Sequence, residues 1–275
     1  MIIAFQGVRG AYSEDAVRAW DEGAEALECP EFIDLFDAVR SGRADLGMLP
    51  VENSIEGSVT AANDLLFRSD LWVVGEVMVR IRHCLIGHPG AGVQDVRRVY
   101  SHPQALAQCR DLLTSHPEWE KVPAYDTAGS VRMVKERGLR EEAAIASRRA
   151  AETYDMEVLM EDVQSVRDNI TRFFVLSRER GTGRGDKTAL AFTTKNRPGA
   201  LFDCLRAFAD NGVNITKLES RPWRGRTWEY VFYLDLDGDV EDDRVAAALR
   251  ALRESASCVK VFGSFRKAAL PSLGP

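Results

Sequence analysis

Through its first 177 residues the chain repeats one unit, a short apolar run followed by a stretch of helical period, and this repetition narrows the fold more than any other feature. Residues 1–6 read as a buried strand, Gly7-Val8-Arg9-Gly10 as a tight turn, and residues 13–20 as a helix. Phe32, Leu35, Phe36 and Val39 fall at helical spacing, closed by Ser41-Gly42. Residues 46–51 form the next strand, which ends in Glu52-Asn53-Ser54, and a helix follows through Leu65, Leu66 and Phe67. Residues 73–81 read as a longer strand. From His83 the pattern restarts, with a strand at Val99-Tyr100 and a helix opening at Ser101, where Ser101 and Gln104 match a capping box. A strand at 122–125 leads to a helix capped by Asp126, and short strands follow at 143–146, 157–159 and 169–176. The alternation predicts an α/β fold with largely parallel sheets. The restart predicts two lobes with a cleft between them, where ligands bind.

Residues 178–186, from Arg178 to Asp186, are polar and Gly-rich with no apolar period. No Lys-Ser/Thr pair or helix completes a phosphate loop there, so the stretch reads as a linker. A compact unit follows. Residues 188–193 alternate as a strand, and Pro198 sits in the first turn of a helix whose Leu201, Leu205 and Phe208 share a face. That helix ends at Asn211-Gly212, a strand surrounds Leu218, and another runs over 228–236. A helix over 245–252 and a strand over 259–262 complete a ferredoxin-like βαββαβ order. The expected division is 1–177, two lobes of which the second spans about 83–155, then a linker at 178–186, then 187–268.

Composition removes several classes of function. The formal net charge of -6 and pI near 5.4 argue against nucleic-acid binding on a broad basic surface. No apolar run approaches the roughly 20 residues of a membrane span. The opening Met1-Ile2-Ile3-Ala4-Phe5 carries no basic n-region, so the expected location is cytoplasmic. Cys29, Cys84, Cys109, Cys204 and Cys258 are odd in number and scattered without a CxxC pair, and the four histidines lack metal-ligand spacing. No metal is expected. Gly7 and Gly10 follow the first strand but do not complete GxGxxG, so a nicotinamide cofactor is not expected either. That loop is expected to offer backbone N–H groups to an anion at the helix start.

Polar clusters sit at strand-to-helix junctions: Glu52-Asn53-Ser54, Ser101-His102 and Asp126-Thr127. Asn169-Ile170-Thr171-Arg172 marks the mouth of an apolar strand, a rigid mount for a hydroxyl donor and a guanidinium that can fork onto a carboxylate. Their convergence at strand ends would make a site. The order Ser…His…Asp invites a hydrolase reading, but no GxSxG elbow supports it, and a helix start does not aim adjacent Ser101 and His102 at each other.

Taken in order, Val51-Glu52-Asn53, Ser101-His102-Pro103-Gln104 with Gln108, Asp126-Thr127-Ala128, Thr171-Arg172-Phe173 and, further on, Glu219-Ser220-Arg221-Pro222 resemble prephenate dehydratases that carry a C-terminal ACT domain. The resemblance runs over nearly the whole chain. It implies a two-lobed catalytic domain similar to type II periplasmic-binding-protein lobes, followed by a ferredoxin-like ACT sensor. The implied reaction is loss of carbon dioxide and water from prephenate to give phenylpyruvate, with no cofactor, since aromatisation drives it. By resemblance Thr171 assists departure of the ring hydroxyl, as a hydrogen-bond donor rather than a free acid. Glu52, Asn53, Ser101 and Gln108 share the catalytic role, Glu52 as proton source or orienting group. Arg172, Phe173 and Thr127 hold substrate, Arg172 as carboxylate anchor.

In the C-terminal unit Gly199-Ala200-Leu201 and Glu219-Ser220-Arg221-Pro222 match the segments that bind phenylalanine as allosteric inhibitor across a dimer interface in the family. A homodimer or homotetramer is the implied assembly. No stretch resembles a fused chorismate mutase. Two alternatives stay open: an arogenate dehydratase, whose substrate carries an amino group in place of the side-chain ketone, and a non-catalytic amino-acid sensor.

Overall fold

The computed structural model describes residues 1–223 and 228–271. The chain opens with β1 (Ile2–Gln6), α1 (Tyr12–Trp20), β2 (Glu25–Cys29), α2 (Phe32–Arg40), β3 (Leu46–Asn53), the short β4 (Gly57–Ser58), α3 (Thr60–Arg68) and β5 (Trp72–Arg80). The second α/β set is β6 (Cys84–Gly87), β7 (Arg98–Ser101), α4 (Pro103–Gln108), α5 (Arg110–Ser115), β8 (Glu120–Pro123), α6 (Thr127–Arg137), β9 (Glu142–Ala146), α7 (Arg148–Thr153) and β10 (Glu157–Met160). Then β11 (Ile170–Ser177) returns to the first sheet, whose order is β2-β1-β3-β11-β5, with β4 beside β3. The last set is β12 (Lys187–Thr194), α8 (Ala200–Asp210), β13 (Ile215–Pro222), β14 (Tyr230–Asp237), α9 (Asp243–Ser255) and β15 (Ala256–Phe265).

By packing, the chain forms two compact units, one built on Met1–Thr60 and Val77–Phe173, the other on Ala61–Glu76 and Phe174–Ala269. The expected division at 177 does not place residues 61–76 with the second unit. Side chains of that unit reach back to them: the Tyr233 hydroxyl donates to the Asn63 carbonyl (3.2 Å), and Lys260 Nζ donates to the carbonyls of Leu66 and Phe67 at the end of α3 (3.0 and 2.8 Å).

In the first unit, β1 pairs in parallel with both β2 and β3, as the alternation predicts. The second sheet, β10-β6-β9-β7-β8, is mixed. There β7 runs parallel to β8 and β9, but β6 runs against both β9 and β10. Because β10 belongs to this sheet, the second lobe extends past the expected limit near 155. Helix ends carry their own signals. Glu31 and Asp34 make a reciprocal capping box on α2, Ser147 accepts from Ala150 N to cap α7, and Gly138 (φ 68°) closes α6. Ser101 does not cap α4. It is the last residue of β7, and its hydroxyl donates to the Ile145 carbonyl of β9 (2.6 Å), so the cap passes to His102.

The two lobes meet where backbone approaches backbone. Gly10 lies at φ 84°, and a Cβ there would sit 2.7 Å from Ala150 Cα, while the Ser147 hydroxyl donates to the Gly10 carbonyl (2.6 Å). Gly10→Ala combines a left-handed penalty with overpacking, so an unfolding loss of about 2–4 kcal/mol is expected by urea denaturation. The N–H groups of this loop serve the fold. Gly7 N donates to the Cys29 carbonyl, Gly10 N to Glu14 and Ala11 N to the Val8 carbonyl, which withdraws the expected anion cradle.

The C-terminal sheet runs β13-β14-β12-β15, antiparallel throughout, the order of a ferredoxin-like βαββαβ fold. Leu190, Phe192, Cys204, Phe208, Leu234, Leu249 and Leu252 form its core. Full burial is worth roughly 1.5–3 kcal/mol for each such large side chain. Two expected details shift. Pro198 precedes the helix, whose N-cap is Gly199 in a left-handed conformation, and β14 begins only at Tyr230 because Trp228 turns at φ 63°. The end of the expected linker is packed rather than loose: Gly185 N donates to Asp239, Asp186 N to the Phe265 carbonyl, and Arg184 pairs with Asp242.

Candidate active site

The polar strand-to-helix junctions of the first unit converge. A cavity of about 490 Å³ is lined from the first lobe by residues that include Gln6, Asn53, Thr171 and Phe173, and from the second by His102, Gln104, Gln108, Asp126 and Thr127. Neither Lys nor Arg is among the lining residues. The starts of α1, α2 and α6, at Tyr12, Phe32 and Thr127, also border it, and the first turn of a helix carries positive potential. At its edge the Tyr125 hydroxyl of one lobe donates to Glu31 of the other (3.1 Å).

Strand alternation decides which neighbours face inward. On β3, Asn53 lines the cavity and Glu52 does not; on β11, Thr171 and Phe173 line it and Arg172 does not. Asn53 is locked in place. Its Oδ1 accepts from the backbone of Ile55 and Glu56 (3.0 Å each), which leaves its Nδ2 to donate to Thr171 Oγ1 (3.0 Å) and Asn169 Oδ1 (2.6 Å). A hydroxyl has one proton and two acceptor positions, so with Asn53 on its acceptor side Thr171 can turn its proton into the cavity.

The network continues behind that pair. Asn169 Nδ2 donates to Gln108 Oε1 (3.0 Å), His83 Nε2 lies 2.9 Å from the same oxygen, and His83 Nδ1 lies 2.8 Å from the Tyr12 hydroxyl. Burial pushes the His83 imidazole below its usual value, against a smaller upward pull from Gln108. The Tyr12 phenol is pushed well up, chiefly by burial.

Residues 3–181 match the family profile described as prephenate dehydratase, and residues 188–254 match that of the ACT domain. The chain belongs to the prephenate dehydratase family. An Arabidopsis thaliana protein named "Arogenate dehydratase/prephenate dehydratase 2, chloroplastic" is 41% identical over 275 residues, covering 96% of this chain and 72% of that one. A Komagataeibacter europaeus protein named "Bifunctional N-acyl-homoserine lactone acylase/prephenate dehydratase" is 42% identical over 255 residues, 91% of this chain and 90% of that one. The solved structure of a prephenate dehydratase from Arthrobacter aurescens, in complex with L-Phe, is 33% identical with a TM-score of 0.88 and covers 98% of this chain and 93% of that one.

Within this prephenate dehydratase fold, Asn53, Gln108, Thr127, Thr171 and Phe173 gather at one cavity. Three expected residues stand apart. Ser101 is fully buried, its hydroxyl committed to Ile145. Glu52 and Arg172 pair with each other (3.2 Å), with the Arg172 side chain only 9% exposed. Arg172 is thus not a carboxylate anchor in the cavity but the partner of Glu52 on the other face of its strand. Sequence reasoning passed over Tyr12 and His83, which lie 71 positions apart and meet only through the fold. Asn169 had a signal, its place at the same strand mouth as Thr171.

The ACT segments lie on different elements. Gly199 (φ 77°) starts α8, and a Cβ built on it has open space around it. Glu219 to Pro222 lie on β13, an edge strand, where alternation leaves Ser220 and Pro222 exposed and turns Glu219 and Arg221 to the other side, 3.7 Å apart. One strand therefore cannot present all four side chains to one ligand.

Proposed function

We propose that the protein is a prephenate dehydratase that converts prephenate to phenylpyruvate and is inhibited by phenylalanine through its ACT domain. The observation that carries the catalytic assignment is the Thr171 hydroxyl, held by Asn53 on its acceptor side and facing the cavity between the lobes. Carbon dioxide leaves from the ring carboxylate, the electron pair of that bond aromatises the ring, and the ring hydroxyl departs with a proton as water. Thr171 supplies a hydrogen bond where negative charge develops on the departing oxygen, and Asn53 sets its direction. Gln108, Thr127 and Phe173 shape and orient, while Glu52 and Arg172 brace their two strands.

A second reading, arogenate dehydratase, draws on the Glu31 carboxylate in the lining, a partner suited to an ammonium group. Purified protein is given prephenate or arogenate, with and without phenylalanine. Phenylpyruvate from prephenate supports the first reading, and phenylalanine formed only from arogenate moves the assignment to the second.

For regulation, phenylalanine is proposed to sit between Gly199-Ala200-Leu201 of one protomer and the exposed face of β13 of another. Support comes from the edge position of β13 and from exposed Leu218 and Phe202, which a homodimer or homotetramer would cover. Gly199→Ala puts a methyl group into the open space there, at the cost of a left-handed backbone for a non-glycine residue. It is expected to raise the phenylalanine concentration for half-inhibition at least about tenfold, since a filled ligand position loses over 1 kcal/mol of binding, while turnover without phenylalanine stays within about twofold. Inhibition assays on both proteins check this. Five free cysteines, four of them buried, suit the reducing cytoplasm as the site of action.

A further inference from the structure

The hydrogen-bond chain behind Thr171 has a polarity fixed from one end. Asn53 Oδ1 is taken by two backbone N–H groups, so Asn53 presents its amide nitrogen to Asn169, and Asn169 in turn presents its nitrogen to Gln108 Oε1. An oxygen so placed requires an N–H from His83 Nε2, 2.9 Å away. At the other side of the ring the Tyr12 hydroxyl lies 2.8 Å from His83 Nδ1 and also 2.7 Å from the Arg82 carbonyl. One hydroxyl proton cannot serve both. If it goes to Nδ1, two oxygens face each other at 2.7 Å without a proton between them. If it goes to Arg82, Nδ1 must carry a proton of its own. All three short contacts are satisfied together only when both ring nitrogens are protonated.

The direct partners of the ring, Gln108 and Tyr12, are both neutral. His83 is 2% exposed. The groups around it are Tyr12 from α1, Gln108 from α4 with Glu56 behind it (3.5 Å), the side-chain oxygen of Gln164 on the His83 backbone N–H, and, near Tyr12, the buried thiols of Cys84 and Cys109 and the Asp15 carboxylate, which pairs with Arg149. Arg82, the adjacent residue, is paired with Asp162 and brings no net charge. The carboxylates of the lining, Glu31 and Asp126, are engaged with Tyr125 and the N–H of Gly129. A dianionic substrate entering this cavity, whose lining holds neither Lys nor Arg, would add negative charge that favours the cation.

We propose that His83 takes up a proton when the dianionic substrate binds and becomes the cation of the cavity, held by Gln108 on one side and by Tyr12 with the Arg82 carbonyl on the other. The proposal rests on the dehydratase reading for its ligand. His83 acts as a positioning charge, and its proton need not be the one that leaves with the hydroxyl. The sign follows from linkage: binding raises the pKa of the ring, so substrate affinity falls as pH rises through the value in the complex.

The test uses Thr171→Ala, in which turnover of prephenate is slowed by about 10²–10³-fold, in calorimetric titrations with buffers of different ionisation enthalpy at pH 7, with the heat of residual turnover subtracted. Uptake of about one proton per site is expected. It should vanish in Thr171→Ala/His83→Gln, and fall below half in Thr171→Ala/Tyr12→Phe, which keeps the ring but removes the acceptor for Nδ1–H. Imidazole ¹⁵N shifts of Thr171→Ala with prephenate should report a doubly protonated His83. No uptake, uptake that persists without His83, or a neutral ring in the complex would overturn the proposal. Turnover of prephenate by the unmodified protein, measured alongside, reports on the dehydratase reading alone.

Discussion

Thr171→Ala is expected to lower kcat with prephenate by about 10²–10³-fold, the loss seen when one preorganised donor is removed from a developing negative charge. The hydroxyl that accepts from Asn53 at 3.0 Å is the group removed, and its neighbours keep their places because Asn53 remains tied to Ile55, Glu56 and Asn169. KM should change by less than about threefold, since the lost interaction belongs to the transition state. Phenylalanine binding by calorimetry should be intact, as it draws on the other unit. Thr171→Ser, which restores a hydroxyl, should recover most of kcat. Comparable losses in the serine variant, or little loss with alanine, would remove Thr171 from the reaction.

The largest stability effect is expected from Lys187→Met. Lys187 Nζ donates to both Glu76 oxygens (2.9 and 2.8 Å), with the two side chains 5% and 0% exposed. Glu76 also accepts from the backbone N–H of Ala268 (3.0 Å). Removing the lysine takes a doubly hydrogen-bonded ammonium away from a buried carboxylate, a loss of about 3–5 kcal/mol. Urea denaturation of the intact protein should read it as an earlier midpoint with little change in slope. Lys187→Met combined with Glu76→Leu takes away both charges, and it should recover much of the loss. A double variant no better than the single would assign the effect to packing instead.

Much of the fold is legible in the residues. Apolar runs and helical spacing locate most strands and helices, and the order from β12 to β15 reads directly as βαββαβ. What escapes has physical causes. The strand β2, with sequence Glu25-Ala26-Leu27-Glu28-Cys29, is half-exposed and carries two glutamates, so no apolar run marks it. The short α5 is one and a half turns, too brief for its period to stand out.

The site divides in the same way. Motif position brought Asn53, Gln108, Thr127, Thr171 and Phe173 to one cavity, but a motif does not carry the phase of a strand. Glu52 and Arg172, each one residue from a cavity-lining neighbour, face away for that reason. Ser101 fails differently, because a neighbouring strand offers its hydroxyl a buried carbonyl at 2.6 Å. Tyr12 and His83 carry no local signal, since long-range folding alone brings a lone histidine to a tyrosine.

The approach of Gly10 to Ala150 constrains how the chain can vary. A larger residue at 150 has no side chain opposite it that could shrink, and any side chain at 10 must bear a left-handed backbone as well as the contact. Neither position can compensate for the other. Shrinking residue 150 would not admit a side chain at 10, because the atoms such a Cβ meets include the backbone Cα and N of Ala150.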